Sequence, residues 1–339
     1  MAHGAGCGCK VAPALLQEML QHRLALPEAR LLVGNDTADD AAAWLLEDGT
    51  VLLSTTDFFT PLVDDPERFG RIAAANALSD IYAMGGKPLL AIAVMGFPVD
   101  KLPVEMAAAI MKGAMAVASE AGIRIAGGHT IDAPEPFFGL SVNGLVKQEH
   151  LKRNGTAREG DLLYLTKRLG TGMLATAFKR GMIDEAALQP AVESMTRLNS
   201  IGAALGKMAG VHAMTDVTGF GLLGHLSEMC NGSRLSARLF YSRLQLLEGV
   251  PSLVKQMVAA DNTYRNWNAY EAGTRHINGE SLLVLCDPQT NGGLLLAADP
   301  AERDALESLL RDNGLDEHAT PIGSLEAMAE ATVELVYDR

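Results

Sequence analysis

The sequence is poor in cysteine and has no long apolar run. It contains four cysteines in 339 residues, too few for the disulfide framework of a secreted protein. Its longest apolar stretches, such as residues 89–97, fall well short of the roughly 20 residues that span a bilayer. The first residues show neither the basic nor the apolar segment of a signal peptide. We therefore expect a cytoplasmic protein without a membrane partner.

Basic residues are also scarce. The chain has 28 Lys+Arg and 41 Asp+Glu, a net charge of −13, so the phosphates of nucleic acid would be repelled. No G-x-x-x-x-G-K-[ST] phosphate loop occurs in the sequence. The overall composition is otherwise that of an ordinary globular protein, and the length suggests about two domains.

Alternating apolar runs and amphipathic segments predict α/β or α+β layers. One helix is well marked, with Asp65 as N-cap, Pro66 in the first turn and Gly85 after its end. The predicted strands are 31–33, 51–55, 89–95, 123–125, 138–146, 161–166, 213–215, 282–285, 294–297 and 332–336. Two further helices are predicted to begin at Pro13 and at about Gly221. The remaining predicted helices cover 103–121, 171–181, 184–209 and 300–313. The polar, basic stretch 147–160 is the predicted boundary between two domains.

The glycine-rich segment HGAGCGCK, residues 3–10, can carry chemistry. Glycine on both sides of Cys7 lets a ligand approach closely, and Lys10 can lower the pKa of the thiol or bind an anion. Two other interpretations remain open. The segment is either a plain terminal arm or a metal clasp formed by His3, Cys7 and Cys9, although three ligands fall short of a structural zinc site.

Several aspartates stand at predicted element ends, namely Asp39, Asp40, Asp57 and Asp216. Each of these on its own is adequately explained as a solvated carboxylate. Asp80 differs because it lies inside an apolar helix, four residues after Asn76 and on the same face. A carboxylate there needs a partner, and a hard cation such as Mg²⁺ supplies one.

Three glycine-bearing segments are candidate ligand sites. Residues 219–224 match G-x-G-x-x-G, but they follow only a short strand and three intervening residues, so we take the match as fortuitous. The segment Gly127-Gly128-His129-Thr130 is predicted to be a turn that could surround a phosphate, with a structural histidine as the alternative. Residues 287–293 are predicted to form a structural turn.

Together these segments resemble selenophosphate synthetase (selenide, water dikinase) over nearly the whole chain. Six motifs in order carry the resemblance: HGAGCGCK (3–10), STTDFF (54–59), NALSDIYAMGGKP (76–88), AGGHTIDAPEP (126–136), AMTDVTGFGLLGHLSEMC (213–230) and DPQTNGG (287–293). Each motif alone would be weak. The last one usually has serine where this chain has Asn291.

The resemblance implies a two-domain, aminoimidazole-ribotide-synthetase-like α/β (α+β) fold. A glycine-rich catalytic arm (1–12) would precede an N-terminal ATP-binding and Mg²⁺-binding domain (13–150), whose β-sheet forms a homodimer. A C-terminal α+β domain (158–339) would follow. The implied reaction converts ATP, selenide and water into selenophosphate, orthophosphate and AMP.

The resemblance also implies roles for individual residues. Cys7 would be the catalytic residue that handles selenium, and Lys10 an essential base or phosphate contact. Asp40, Asp80 and Asp216 would bind Mg²⁺. The remaining residues implied to bind ATP are Thr37, Ala38, Asp39 and Asp57, together with Gly128, His129 and Thr130 from the other subunit.

Two alternatives remain at this stage. Another ATP-dependent member of the same superfamily would not need the glycine-flanked thiol of Cys7. A non-catalytic carrier of selenium or of a thiophilic metal would leave Asp40, Asp80 and Asp216 without a purpose. If the aspartates do meet at one nucleotide site, ATP should bind there only together with Mg²⁺.

Overall fold

Two β-sheets organise the chain. A computed structural model describes residue 19 and residues 29–34 and 39–337. The first sheet has six strands in the order β1-β2-β3-β6-β4-β5. These strands are β1 (Leu31–Val33), β2 (Ala42–Leu45), β3 (Thr50–Phe59), β4 (Lys87–Phe97), β5 (Ile125–Asp132) and β6 (Phe137–Lys147). Among the described strands of this sheet, β4 and β5 pair in parallel and the other pairs are antiparallel.

The central element of the first half is helix α1 (Pro66–Ala83). It packs against β3 and β6 on one side, and against helix α2 (Val104–Glu120) and parts of the second half elsewhere. Most of its residues are buried, including Asn76, Ser79 and Asp80. The helix therefore lies between the first sheet and the rest of the molecule.

Local sequence determines where α1 begins and ends. The Asp65 side chain accepts a hydrogen bond of 2.7 Å from the Arg68 N–H group, and Pro66 follows in the first turn. After the helix, Gly85 has φ of +76°, a conformation that glycine adopts without strain. The predicted limits of this helix are confirmed.

The second sheet has seven strands in the order β10-β13-β9-β12-β7-β11-β8. They are β7 (Leu162–Leu165), β8 (Val211–Asp216), β9 (Leu235–Phe240), β10 (Thr274–Arg275), β11 (Leu294–Ala298), β12 (Gly323–Ala327) and β13 (Val333–Val336). The helices of this half are α3 (Thr171–Lys179), α4 (Glu185–Thr196), α5 (Gly202–Leu205), α6 (Gly221–Ser233), α7 (Val250–Lys255), α8 (Thr263–Tyr270), α9 (Gly279–Leu285) and α10 (Arg303–Asp312).

The mixed α/β class is confirmed, and most predicted elements are present with shifted ends. The predicted strand 282–285 is wrong, because α9 occupies this stretch. Asn278 caps α9 by accepting a hydrogen bond from the Ser281 N–H group, and the Ser281 hydroxyl oxygen accepts one from the Asn278 N–H group. This capping box outweighs the strand preference of a short apolar run. The predicted helix 184–209 is divided into α4 and α5, because Arg197 is extended.

The predicted turn at Gly127-Gly128-His129-Thr130 is also wrong. These residues lie inside strand β5, which pairs with β4 from Ala91↔Ile125 to Phe97↔Asp132. Two adjacent glycines suggested a break, but pairing with a neighbouring strand stabilises the extended backbone here. Strands β2, β9, β10 and β12 and helices α7 and α8 were not predicted.

None of the helices in the described residues is both long and apolar enough to cross a bilayer.

Helices α1 and α2 cross so closely at Gly70 that a larger residue there should reduce the stability of the protein. A Cβ atom on Gly70 of α1 would lie 1.9 Å from the carbonyl oxygen of Ile110 in α2. Gly70→Ala must therefore push the helices apart, and we expect the free energy of unfolding to fall by about 1–3 kcal/mol. Urea denaturation followed by circular dichroism measures the change.

The matched control is Gly279→Ala in α9, where the nearest atom to an added Cβ is Met257 Cε at 3.8 Å. This variant should be as stable as the wild type or slightly more stable. Equal unfolding free energies for Gly70→Ala and the wild type would contradict the close helix contact.

Candidate active site

Two acidic side chains of the first half are held between β3 and α1. Asp57 Oδ2 accepts a hydrogen bond of 2.7 Å from Asn76 Nδ2, and Asp80 Oδ2 accepts one from the hydroxyl of Thr55. Alternate residues of a strand share a face, as do residues four apart in a helix. The spacing of these four residues therefore places both carboxylates along one seam between strand and helix.

Asp80 is 7% exposed and lies among fully buried apolar neighbours such as Leu78 and Ile81. A carboxylate in such surroundings requires hydrogen bonds or a cation. The hydroxyl of Thr55 meets part of this requirement by donating a hydrogen bond to the carboxylate.

The second half of the chain brings a further carboxylate to the first half. Asp216 is the last residue of β8 and is buried, and the preceding Thr215 donates a hydrogen bond of 2.8 Å to Asp40 Oδ1. Residues 40 and 215 belong to different halves of the chain. This hydrogen bond therefore joins the halves at the position of the predicted site.

The aspartate pair Asp40 and Asp216 is electrostatically unfavourable as it stands. Burial raises the pKa of Asp40 well above its ordinary value, and the negative charge of Asp216 raises it further. The charges of Asp39 and Glu228 act in the same direction, whereas the hydrogen bond from Thr215 lowers the pKa. A cation between these carboxylates would relieve the repulsion.

Asp39 is anchored to the segment that connects the two sheets. Its Oδ1 accepts a hydrogen bond of 2.8 Å from the N–H group of Asn154. The acidic pair Asp39-Asp40 is therefore tied by two hydrogen bonds, one from Asn154 and one from Thr215, to residues far along the chain.

These donors fit a magnesium ion that arrives together with phosphate groups. Mg²⁺ prefers oxygen ligands, keeps several waters and usually takes only one or two protein carboxylates in addition to substrate phosphates. Among the described residues, no group of three or more His, Cys, Asp or Glu side chains is arranged to hold a metal ion. The ligand set of Asp40, Asp80 and Asp216 stays a prediction.

Gly128, His129 and Thr130 do not meet these aspartates within one chain. They lie on the exposed edge strand β5. The sheet register places Gly128 in one row with Ala93, Leu140 and Asp57. Three strand spacings separate the ends of this row, which corresponds to about 14 Å.

Four of the predicted site residues, Cys7, Lys10, Thr37 and Ala38, lie outside the described residues, as do His3 and Cys9. The two remaining cysteines, Cys230 and Cys286, are buried, and burial raises the pKa of each thiol to about 12. Both thiols are therefore unreactive core residues.

Sequence reasoning missed two polar residues beside the site. Thr215 gave no signal beyond its position next to Asp216. Lys167, which follows β7, is buried, and burial lowers the pKa of its ammonium group well below the ordinary value. Its Nζ donates hydrogen bonds of 2.8 Å to the carbonyl oxygens of Arg197 and Asn291. A lysine at the end of an apolar strand was the only hint in the sequence.

The motif at residues 219–224 has a packing explanation. Gly221 begins α6 with φ of +69°, and a Cβ atom there would lie 2.7 Å from the carbonyl oxygen of Leu285. Gly224 faces Phe220 and Tyr270 closely enough that a Cβ atom would lie within 3.0 Å of both. Both glycines are therefore required by close contacts inside this half of the molecule.

Comparisons with solved structures support the fold. Thiamine-monophosphate kinase from Stenotrophomonas maltophilia has a TM-score of 0.67 at 19% identity, with 95% of this chain and 94% of that chain covered. Hydrogenase maturation protein HypE in complex with ATP also has a TM-score of 0.67 at 19% identity, covering 97% and 92%. At these identities the likeness concerns the fold alone.

Comparisons with curated sequences are more specific. The selenide, water dikinase of Colwellia psychrerythraea is 49% identical over 336 residues, with 99% of this chain and 97% of the relative covered. That of Bordetella bronchiseptica is 49% identical with the same coverage, and that of Haemophilus influenzae is 47% identical over 98% of this chain and 95% of the relative.

Family models match both halves of the chain. The model described as AIR synthase related protein, N-terminal domain, matches residues 38–146. The corresponding C-terminal domain model matches residues 158–336. With the near-full-length relatives, these matches show that the chain belongs to the selenide, water dikinase family within the AIR synthase-related proteins.

Proposed function

We propose that this enzyme forms selenophosphate, orthophosphate and AMP from ATP, selenide and water. The observation that carries the proposal is the 49% identity to a selenide, water dikinase over 99% of the chain. The selenophosphate product would supply activated selenium for selenocysteine and selenouridine synthesis, and the reaction would take place in the cytoplasm.

The nucleotide would lie where the two halves meet. Asp57 and Asp80 on the β3–α1 seam and Asp39 beside Asn154 would line the pocket. Thr37 and Ala38 directly precede Asp39 in the sequence and would complete this wall. The corresponding domain division is an arm at residues 1–12, an ATP-binding domain at 13–150 and a C-terminal domain at 158–339.

Asp40, Asp80 and Asp216 would hold Mg²⁺. When bound, the metal supplies positive charge that neutralises the triphosphate. The protein residues keep these oxygen donors in place: Thr215 orients Asp40, and Thr55 orients Asp80. An acidic protein without a phosphate loop would in this way accept a polyanionic substrate.

A homodimer would complete the nucleotide site. On the face of the first sheet opposite α1, Phe58 and Ile92 are 53% and 42% exposed. The sheet register places His129 in one row with Val94 and Phe58, and hence on this same open face. A second copy packed against this apolar face would contact His129, and the role of Gly128, His129 and Thr130 of the partner subunit at the nucleotide is the one that the family resemblance implies.

Cys7 and Lys10 would act on selenium and phosphate. Hydrogen selenide ion is a soft nucleophile, and a cysteine on a glycine-rich arm would deliver it to the phosphorus. Lys10 would contact the phosphates as a cationic side chain. Water exclusion during the transfer would protect the product from competing hydrolysis.

Product analysis tests the proposed reaction directly. The protein is incubated anaerobically with ATP, Mg²⁺ and selenide, and the products are followed by phosphorus NMR. We expect selenophosphate, AMP and orthophosphate in equal amounts, because each ATP loses two phosphoryl groups. ADP as the only nucleotide product would instead indicate another ATP-dependent superfamily member, and unchanged ATP would indicate a carrier.

The role of Cys7 can be separated from that of Cys9 by two matched variants. Cys7→Ser should abolish selenophosphate formation, because the proposed role requires a thiol side chain and a serine hydroxyl ionises far less readily. Cys9→Ser should retain most of the activity, and circular dichroism should show both variants folded. Full activity of Cys7→Ser would remove this thiol from the mechanism.

A further inference from the structure

The turn at residues 287–293, between α9 and β11, is packed against the loop that follows Asp216. The Val217 N–H group donates a hydrogen bond of 2.9 Å to the carbonyl oxygen of Gly293, and the Gln289 N–H group donates one of 2.9 Å to that of Thr218. A Cβ atom on Gly292 would lie 2.1 Å from the carbonyl oxygen of Val217. The turn and this loop are therefore packed together as one unit.

The same turn is bonded to α1 in the first half of the chain. The Asn291 N–H group donates a hydrogen bond of 2.7 Å to Asn76 Oδ1, and Asn76 Nδ2 donates in turn to Asp57 Oδ2. One helical turn further along, Ser79 Oγ accepts a hydrogen bond of 2.8 Å from Asn199 Nδ2, which also donates to the carbonyl oxygen of Gly292. The turn thus contacts both halves of the proposed site.

Asn291 holds the turn in this position through its side chain. Its φ is +47°, a left-handed conformation that asparagine tolerates better than most residues. Its Nδ2 donates hydrogen bonds of 2.6 Å to the carbonyl oxygen of Met195 and 2.9 Å to that of Arg197. The Arg197 carbonyl also accepts a hydrogen bond from Lys167. Both donor positions of the carboxamide are therefore used inside the second half.

We propose that Asn291 is a positioning residue for the nucleotide site, acting through Asn76 on Asp57. The carboxamide fixes the 287–293 turn to the second half, and the backbone of the turn fixes Asn76 and thereby the orientation of the Asp57 carboxylate. This inference rests on the proposed function only in assigning Asp57 to the ATP site. It concerns a position where the family usually has serine.

The test is the variant Asn291→Gly. Glycine keeps the positive φ and both backbone hydrogen bonds, to Asn76 and from Lys167, and removes only the two side-chain bonds. We expect the KM for ATP to rise by about tenfold, the value corresponding to one or two lost hydrogen bonds. The KM for selenide should stay within about twofold, because Asp57 would not contact selenide.

The matched control is Asn278→Gly, which removes the side-chain cap of the neighbouring helix α9. Thermal unfolding is measured for both variants. If Asn291 only stabilised the fold, the KM would rise in proportion to the loss in melting temperature, and in the same proportion in both variants. The KM for ATP and the KM for selenide would also rise together. Either result, or an unchanged KM for ATP in folded Asn291→Gly, would overturn the positioning role.

Two further measurements keep the test decisive. Should Asn291→Gly fail to fold, Asn291→Ser replaces it, because serine is the usual residue of the family here. Serine carries one short donor, so the KM for ATP should still rise while that for selenide does not. Calorimetric titration with a non-hydrolysable ATP analogue and Mg²⁺ measures the change in affinity for the nucleotide without turnover. The binding of the analogue by the wild type and by the variant can therefore be compared even if the wild type does not make selenophosphate.

Discussion

Mutual repulsion between carboxylates is the constraint on which this structure depends. Asp40 comes from the first half of the chain and Asp216 from the second, and the charge of Asp216 adds to burial in raising the pKa of Asp40. Two like charges are brought together only where other interactions offset their repulsion. The hydrogen bond from Thr215 lowers the pKa of Asp40 and thereby offsets part of the repulsion.

Helix α1 connects the acidic site to both halves of the molecule through hydrogen bonds. Its polar residues Asn76, Ser79 and Asp80 lie within about one turn of each other, although the helix is otherwise packed in apolar surroundings. Asn76 and Asp80 bind β3, whereas Asn76 and Ser79 also accept hydrogen bonds from the second half. A helix buried on nearly every side can serve as a rigid reference for carboxylates from both halves.

The sequence predicted those features that depend on near neighbours along the chain. Asp65, Pro66 and Gly85 identify the ends of α1, because capping is decided within a few residues. Asp80 was recognisable as unusual because an apolar helix surrounds it. The resemblance then supplied the family and the remaining candidate residues, which no local pattern could have connected.

Features that depend on distant parts of the chain were not predictable in this way. Thr215 bonds to Asp40 across 175 positions, and nothing in the sequence indicates that partner. Gly127 and Gly128 resemble a turn, yet pairing with β4 makes them part of a strand. The stretch 282–285 resembles a strand, but the cap at Asn278 makes it a helix. In each case tertiary pairing or capping outweighed intrinsic preference.

The central claim is that the acidic site accepts its polyanionic nucleotide only with a divalent cation. Isothermal titration calorimetry of ATP into the protein, with excess Mg²⁺ and then with excess EDTA, tests it most directly. We predict clear binding with Mg²⁺ and a loss of at least about a hundredfold in affinity with EDTA, because uncompensated phosphates would face Asp40, Asp80 and Asp216. ATP binding that is undiminished in EDTA would contradict the account.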